Sequence, residues 1–320
     1  MVTITVNPRE ADQRLDRYIR KIFRSVPLSV IYKWIRKRKI KVNGTFVQQH
    51  YRLRAGDNLV LYIPDKDRRL LQKIPDEPHP SGKLPSIIFE DQALLVLDKP
   101  SGLAVHGGTR ISSDHLTARV RSYLKAAITV KTLSYDPAPV HRLDRETSGL
   151  VVYAKDLISH RTLCQDLKQH RWQKHYLCLV FGQLPANQGV FTWSLDSKIK
   201  NSTVTQLHAE TQYSTIRLKE QVLLLDVVPV TGRFRQIRRH LALAGLALYG
   251  ETRYGRQQWC QQQKQQNNWL FLHAHRLELF HPLTQDKLVF NAPLPVNLRI
   301  ILRQVGLPWP GEPKRERNHE

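Results

Sequence analysis

The chain has 320 residues, with 50 lysines and arginines against 27 acids, a formal net charge of +23 and a pI near 10.2. That length buries a full core and accommodates one large domain plus a small one. The charge favours polyanions, nucleic acid first and acidic membrane surfaces second, and no apolar run approaches the ~18 residues of a spanning helix. Met1 to Val6 has no basic segment leading into an apolar one, so no signal peptide is expected. Cys164, Cys178 and Cys260 lack both even number and paired spacing. Disulfides and a zinc site are therefore not expected, and a reducing cytoplasm fits best.

Leu15, Tyr18, Ile19, Ile22 and Phe23 fall at helical spacing, with arginines and Lys21 on the other faces. Pro27 opens a second predicted helix, with Ile31, Trp34 and Ile35 inward and Lys33, Arg36, Lys37 and Arg38 outward. Lys39 to Val47 alternates like a hairpin around Asn43-Gly44, and Ala55-Gly56-Asp57 turns into a strand from Leu59 to Ile63. From Arg9 to Arg54 there are fourteen Lys or Arg against three acids. Mixed signs would solubilise a surface with less self-repulsion, so this imbalance points to a nucleic-acid face that includes Lys41.

Residues 13 to 63 resemble the S4 RNA-binding domain in their two basic helices, the Lys41-Val42-Asn43-Gly44 hairpin and the Leu53 to Val60 strand entry. That resemblance implies binding of structured RNA by shape and phosphate contacts. Asp65 to Ser86 has mixed charge, four prolines and one glycine without hydrophobic period, which reads as a linker.

A second domain begins near Ile87. Ile87 to Phe89 and Ala93 to Leu97 are predicted strands, followed by the Gly- and Pro-dense loop Asp98 to Gly108. That loop lacks P-loop spacing. Leu116, Val120, Tyr123 and Leu124 mark a helix. His141-Arg142-Leu143-Asp144-Arg145-Glu146-Thr147-Ser148-Gly149 then delivers a charged loop onto the apolar strand Leu150 to Ala154. Arg142 and Arg145 flank Asp144, and cationic neighbours keep an aspartate ionised. A helix from Leu157 to Leu167 and strands at 174–181, 190–193, 203–216 and 222–228 follow. Thr231 to Gly245 reads as a helix whose first turns carry four arginines, an arrangement that suits an anionic partner better than the helix dipole. Residues 257–268 are a Gln-rich loop; strands at 269–273 and 277–279 and a helix from Val296 to Gln304 precede a charged tail. The absence of a strand-helix alternation predicts an α+β fold with a mixed, largely antiparallel sheet. The expected domains are 10–64, a linker at 65–86, 87–305 and a tail at 306–320.

No His-x-x-x-His or Cys-x-x-Cys pair supports a metal at His141, Asp144 or His106. Neither a nucleophile elbow nor a dinucleotide fingerprint is present. What remains is one aspartate in an arginine-rich loop, a tyrosine in Lys174-His175-Tyr176-Leu177, and the arginine segment Thr231 to Arg238.

These residues resemble the RluA-type pseudouridine synthases. The His141 to Gly149 stretch looks like that family's signature, and Leu97 to Gly102, Gln173 to Leu177 and Thr231 to Arg238 match it in the same order. With the S4-like front, the likeness spans about residues 10 to 300 and is greatest to the S4-domain-containing, RluC/RluD-like enzymes of bacterial 23S ribosomal RNA. The resemblance implies isomerisation of uridine to pseudouridine without cofactor or metal, with structured 23S RNA as the partner; a cytoplasmic monomer is expected alongside it. It implies Asp144 as catalytic aspartate, Tyr176 stacking on the target base and Arg238 pairing with the Asp144 carboxylate. Arg142 would take the place of the displaced uridine, and Arg233 and Arg235 would contact RNA. The family usually has His where Arg235 stands, and Phe234 is likewise unusual. A transfer-RNA enzyme of the same family and a non-catalytic S4-type ribosome-associated factor are the alternatives. The S4 front speaks against the first, and Asp144, Tyr176 and Arg238 together speak against the second.

Overall fold

A computed structural model describes residues 1–23, 25–63, 80, 82–108, 114–127, 135–198, 204–254 and 269–309. The Gln-rich loop, Cys260, most of the expected linker and all but the start of the tail lie outside the described residues.

The first sheet is small and has the order β1-β4-β2-β3, all antiparallel, from β1 (Val2–Thr5), β2 (Ile40–Val42), β3 (Thr45–Phe46) and β4 (Asn58–Leu61). Asn43 and Gly44, at φ 50° and 79°, make the two-residue turn that the Asn-Gly pair calls for. Two helices, α1 (Leu15–Ile22) and α2 (Leu28–Arg36), cover one face of this sheet. Leu15, Tyr18, Ile19 and Phe23 pack with Ile31, Trp34, Val42, Leu59 and Leu61, and the Phe23 and Trp34 rings meet edge-on at 5.3 Å. This core is built from the helical period read in the sequence. One strand is new: β1 pairs along β4, so residues 2–5 belong to this sheet.

Among the described residues the second sheet has eleven strands: β5 (Ile87–Glu90), β6 (Leu94–Lys99), β7 (Ala138–Pro139), β8 (Ser148–Ala154), β9 (Gln173–Phe181), β10 (Gln188–Phe191), β13 (Thr211–Lys219), β14 (Val222–Pro229), β15 (Ala247–Leu248), β16 (Leu272–Phe280) and β17 (Lys287–Asn291). Its main path runs β10-β13-β14-β9-β16-β8-β6-β5. Among the described residues only β16 and β8 pair in parallel and the other ladders are antiparallel, as expected for an α+β domain. The remaining strands, β11 (Leu195–Lys198) and β12 (Val204–Leu207), form a separate ribbon.

The helices of this domain are α3 (Leu116–Ala127), α4 (Leu157–Lys168), α5 (Gln236–Leu243) and α6 (Val296–Gln304). Asp156 caps α4 by accepting from the Ser159 amide at 2.8 Å. Apolar residues of both sheet faces are buried. Tyr176, Cys178 and Val180 lie on one side with Leu241 of α5, and Leu177 and Leu179 on the other with Leu298 and Ile301 of α6. That two-sided burial explains why Leu150 to Ala154 reads as an unbroken apolar run.

Two expectations are corrected. The strand expected at 203–216 is two strands interrupted at 208–210, where the carbonyls of His208 and Glu210 instead accept hydrogen bonds from the 230–236 segment. The strands expected at 269–273 and 277–279 are one, β16, continuous through a register shift between Ala274 and Arg276. The two domains touch at an exposed ion pair: Nη1 of Arg161 on α4 lies 2.9 Å from Oδ2 of Asp12.

Candidate active site

Asp144 sits in a turn closed by the Thr147 amide, which donates to the Asp144 carbonyl at 3.1 Å immediately before β8. The 99–102 loop braces this turn from below. The Gly102 amide donates to the Arg145 carbonyl at 2.8 Å, Ser101 Oγ to the Glu146 carbonyl at 2.6 Å, and Lys99 Nζ to the Arg145 carbonyl at 3.2 Å. Lys99 is fully buried, and its Nζ also reaches the carbonyls of Pro100 and Leu103 at 2.9 and 2.8 Å. Burial pulls its pKa down to about 7, against the opposing pull of Glu146 and Asp144. Three carbonyl acceptors match the three protons of an ammonium, so the charged form is the one that this cage accommodates. Gly149, at φ 112°, is needed because a Cβ there would stand 2.3 Å from the Ala274 carbonyl oxygen on β16.

Opposite the turn lies the arginine segment. Nη1 of Arg238 is 3.3 Å from Oδ2 of Asp144, while its Nε and Nη2 donate to Glu251 at 2.5 and 2.8 Å. Arg238 and Glu251 are 3% and 1% exposed, so the guanidinium is clamped in place by a fully buried carboxylate. Glu251 is itself fixed by the amides of Arg253 and Tyr254. Burial works against the charge of Arg238, but the Glu251 hydrogen bonds, with Asp144 behind them, outweigh it and hold its pKa above the ordinary value.

The expectation of four arginines on the first turns of one helix is corrected. Helix α5 begins at Gln236; Arg233 and Arg235 precede it, and only Arg238 and Arg239 lie on it. The buried Gln236 side chain is the reason. Its Oε1 accepts from Thr231 Oγ1 at 2.7 Å and the Arg233 amide at 2.9 Å, and its Nε2 donates to the Glu210 carbonyl at 2.7 Å. These bonds fold residues 231–235 into a loop. Arg235 caps the helix in the left-handed region at φ 51°, its guanidinium 4.7 Å over the Phe234 ring.

Tyr176, on β9, is 8% exposed, and burial followed by the nearby Asp144 charge pushes its phenol pKa up. It stays neutral at physiological pH. Asp144, Tyr176, Arg238, Arg142, Arg233 and Arg235 all line one cleft of about 530 Å³, within the ~300–1,000 Å³ of small-ligand sites. Arg142 is exposed at this cleft, and Arg233 donates to the His208 carbonyl at 2.9 Å. His141 lines it too, but as a fixed ring. Its Nε2 accepts from the Val152 amide at 3.2 Å, its edge packs on Trp172, and burial lowers its pKa to about 3.

The remaining sequence candidates belong to the small domain and do not line the cleft. Lys33, Arg36, Lys37 and Arg38 are exposed. Lys41 is half-buried, with Nζ 5.0 Å from the Phe46 ring centre and 5.8 Å from that of Tyr62, and the Arg38 guanidinium stands 5.7 Å over Phe46. Sequence reasoning missed Glu251, because nothing in a separation of thirteen positions marks it as the partner of Arg238. It also missed the bracing role of Gln236, although that residue stands within the arginine motif.

A small helix-covered sheet ahead of a large mixed sheet with an arginine-lined cleft is the arrangement expected of an α+β enzyme that acts on nucleic acid. Comparison with known proteins makes this specific. The RNA pseudouridylate synthase family model matches residues 93–243, and the S4 domain model matches residues 13–59. The chain is 34% identical over 317 residues to the ribosomal large subunit pseudouridine synthase C of Haemophilus ducreyi, covering 94% of each chain. It is 35% identical over 311 residues to the protein of that name from Yersinia pestis, covering 92% of this chain and 93% of the other. The solved structure of human RNA pseudouridylate synthase domain containing 4 shares the fold, with a TM-score of 0.58 at 22% identity over 69% of this chain and 92% of that one. The chain belongs to the RNA pseudouridine synthase family and is an S4-domain-containing member of it.

Proposed function

We propose that this enzyme converts uridines of large-subunit ribosomal RNA to pseudouridine, with Asp144 as the catalytic aspartate. The substrate reading rests on near-full-length similarity to proteins named ribosomal large subunit pseudouridine synthase C. The observation that carries the site is the Asp144 carboxylate, bound by Arg238 in a cleft shared with Tyr176.

The reaction breaks the N1–C1′ bond of uridine and forms a C5–C1′ bond to the same sugar. The C5 proton is lost and N1 gains one, so the balance is an isomerisation. Asp144 acts as a carboxylate, on the ribose or on the base, and the Arg238 guanidinium orients Oδ2 for it. Both arginines near Asp144 take Oδ2, which leaves Oδ1 without a protein donor among the described residues. Tyr176 offers a neutral aromatic face against the base. Taking the base out of its stack costs a few kcal/mol, offset by aromatic stacking and by Arg142, Arg233 and Arg235 on phosphates and on the vacated stack.

The test is Asp144→Asn with a ribosomal RNA substrate. Pseudouridine formation should vanish while RNA affinity stays within about threefold, since one charge in a basic cleft contributes little to phosphate binding. Product at the wild-type rate would remove Asp144 from the chemistry. Mapping pseudouridines in ribosomal and transfer RNA from cells with and without the gene tests the substrate.

A further inference from the structure

The sheet face opposite the cleft carries a group of side chains that uridine chemistry does not use. His175 on β9, Asp226 on β14 and His275 on β16 come from three adjacent strands. Nδ1 of His175 lies 2.8 Å from Oδ2 of Asp226, and Nε2 of His275 lies 3.2 Å from its Oδ1. One donor atom from each of the three falls within 4.8 Å of the others. Strand alternation puts His175 on the face opposite its neighbours Lys174 and Tyr176, which line the cleft. His275 is the extra residue of the β16 bulge, between Ala274 paired with Tyr176 and Arg276 paired with His175. Bulges re-aim side chains, and here the two imidazole rings stand 6.2 Å apart at 85°, both turned to one carboxylate.

We propose that His175, Asp226 and His275 form a structural site for a divalent transition ion of the zinc class. Two imidazole nitrogens and one carboxylate are a donor set for zinc, cobalt or nickel rather than for magnesium or calcium, which prefer all-oxygen shells. Bonds of ~2.0–2.2 Å to such ions separate neighbouring donors by roughly 3 Å, close to the 2.8 and 3.2 Å seen between carboxylate and rings. The ion takes the place of the protons now shared between rings and carboxylate, and small ring rotations bring the two nitrogens to the same distance. All three side chains are 21–22% exposed, so an ion can enter from solvent and water can complete its shell. It would fasten β14, β9 and β16 together directly behind Tyr176, and it takes no part in the reaction on the other face.

The full-length protein, stripped with a chelator, is titrated with Zn²⁺ and Co²⁺ and followed by calorimetry, Co²⁺ absorption and thermal melting. Wild type should bind one equivalent of Zn²⁺ that raises the melting midpoint, and bound Co²⁺ should lack a thiolate charge-transfer band. His275→Gln and His175→Asn should each weaken that equivalent at least ~10-fold, the size already produced by losing an outer-shell partner, with pseudouridine formation retained. Two results overturn the proposal: a wild-type midpoint unmoved by saturating Zn²⁺, or a bound equivalent that persists undiminished in both variants. The wild-type melt decides the matter even where a variant fails to fold.

Discussion

Nε of Arg235 lies 3.5 Å from the same Asp144 oxygen that Nη1 of Arg238 meets at 3.3 Å. Two guanidiniums thus share one carboxylate oxygen, but they are held very differently. Arg238 is 3% exposed and clamped by Glu251, whereas the Nε of Arg235 makes no hydrogen bond of proper geometry and its side chain leans on Phe234.

On the proposed reading, Arg238 orients Asp144, and Arg235, which lacks such a clamp, serves as a contact to RNA. Arg238→Gln should lower kcat by about 10²–10³, the usual cost of removing one preorganised charge partner from a catalytic site. Arg235→Gln should lower kcat no more than about tenfold and act mainly on KM, as a lost phosphate contact does. Single-turnover and steady-state rates for both variants check this. The assignment fails if Arg235→Gln proves the more damaging to kcat.

Glu251 should matter to stability as much as to rate. Removing one member of a buried ion pair leaves the other charge without compensation, at about 3–5 kcal/mol. Glu251→Ala should therefore lose about that much in urea unfolding, and its activity should fall because Arg238 is no longer aimed. Glu251→Gln, which keeps hydrogen-bonding capacity, should lose less of both. Equal unfolding midpoints for wild type and Glu251→Ala would show that the pair is not the clamp described.

Much of this architecture is legible in the chain. The helical period of Leu15, Tyr18, Ile19 and Phe23 specifies one side of the small core, Asn43-Gly44 its hairpin, and the apolar run to Ala154 the central strand β8. The errors share a cause, which is that local pattern does not record long-range hydrogen bonding. Residues 208–210 look like strand but serve as acceptors for the arginine loop, and Arg233 and Arg235 look helical but are drawn out of the helix by Gln236. The Glu251 clamp and the His175, Asp226 and His275 group are assembled across strands and leave no spacing to read.

Acid should weaken the fold through His141. Its native pKa is lowered to about 3 by burial, while an unfolded histidine titrates near its ordinary value. Between those values the unfolded chain binds the extra proton, so stability falls as pH drops from about 6.5 and goes on falling towards 3. At pH 5 the loss from this ring is at most about 2 kcal/mol, 1.5 units at ~1.4 kcal/mol each. His141→Gln keeps an acceptor for the Val152 amide but cannot titrate. Its unfolding free energy should change less between pH 7 and pH 5 than that of wild type, and parallel pH profiles would exclude His141 as the source.

The small domain should reveal its role through salt. Lys37 and Arg38 are exposed, and Arg38 and Lys41 gather around the Phe46 ring, so the three form a cationic patch beside an aromatic surface. Cations that neutralise phosphates release counterions, and each contributes about 0.7–0.9 to the slope of log affinity against log salt. Replacing Lys37, Arg38 and Lys41 together by Ala should flatten that slope by about 2–3 and weaken binding most at low salt. Turnover at saturating RNA should be unaffected, because none of the three lines the Asp144 cleft. A slope that does not change would take RNA binding away from this patch. A fall in kcat without a change of slope would mean that the patch acts on the catalytic domain, through the domain contact at Asp12 and Arg161, rather than on RNA.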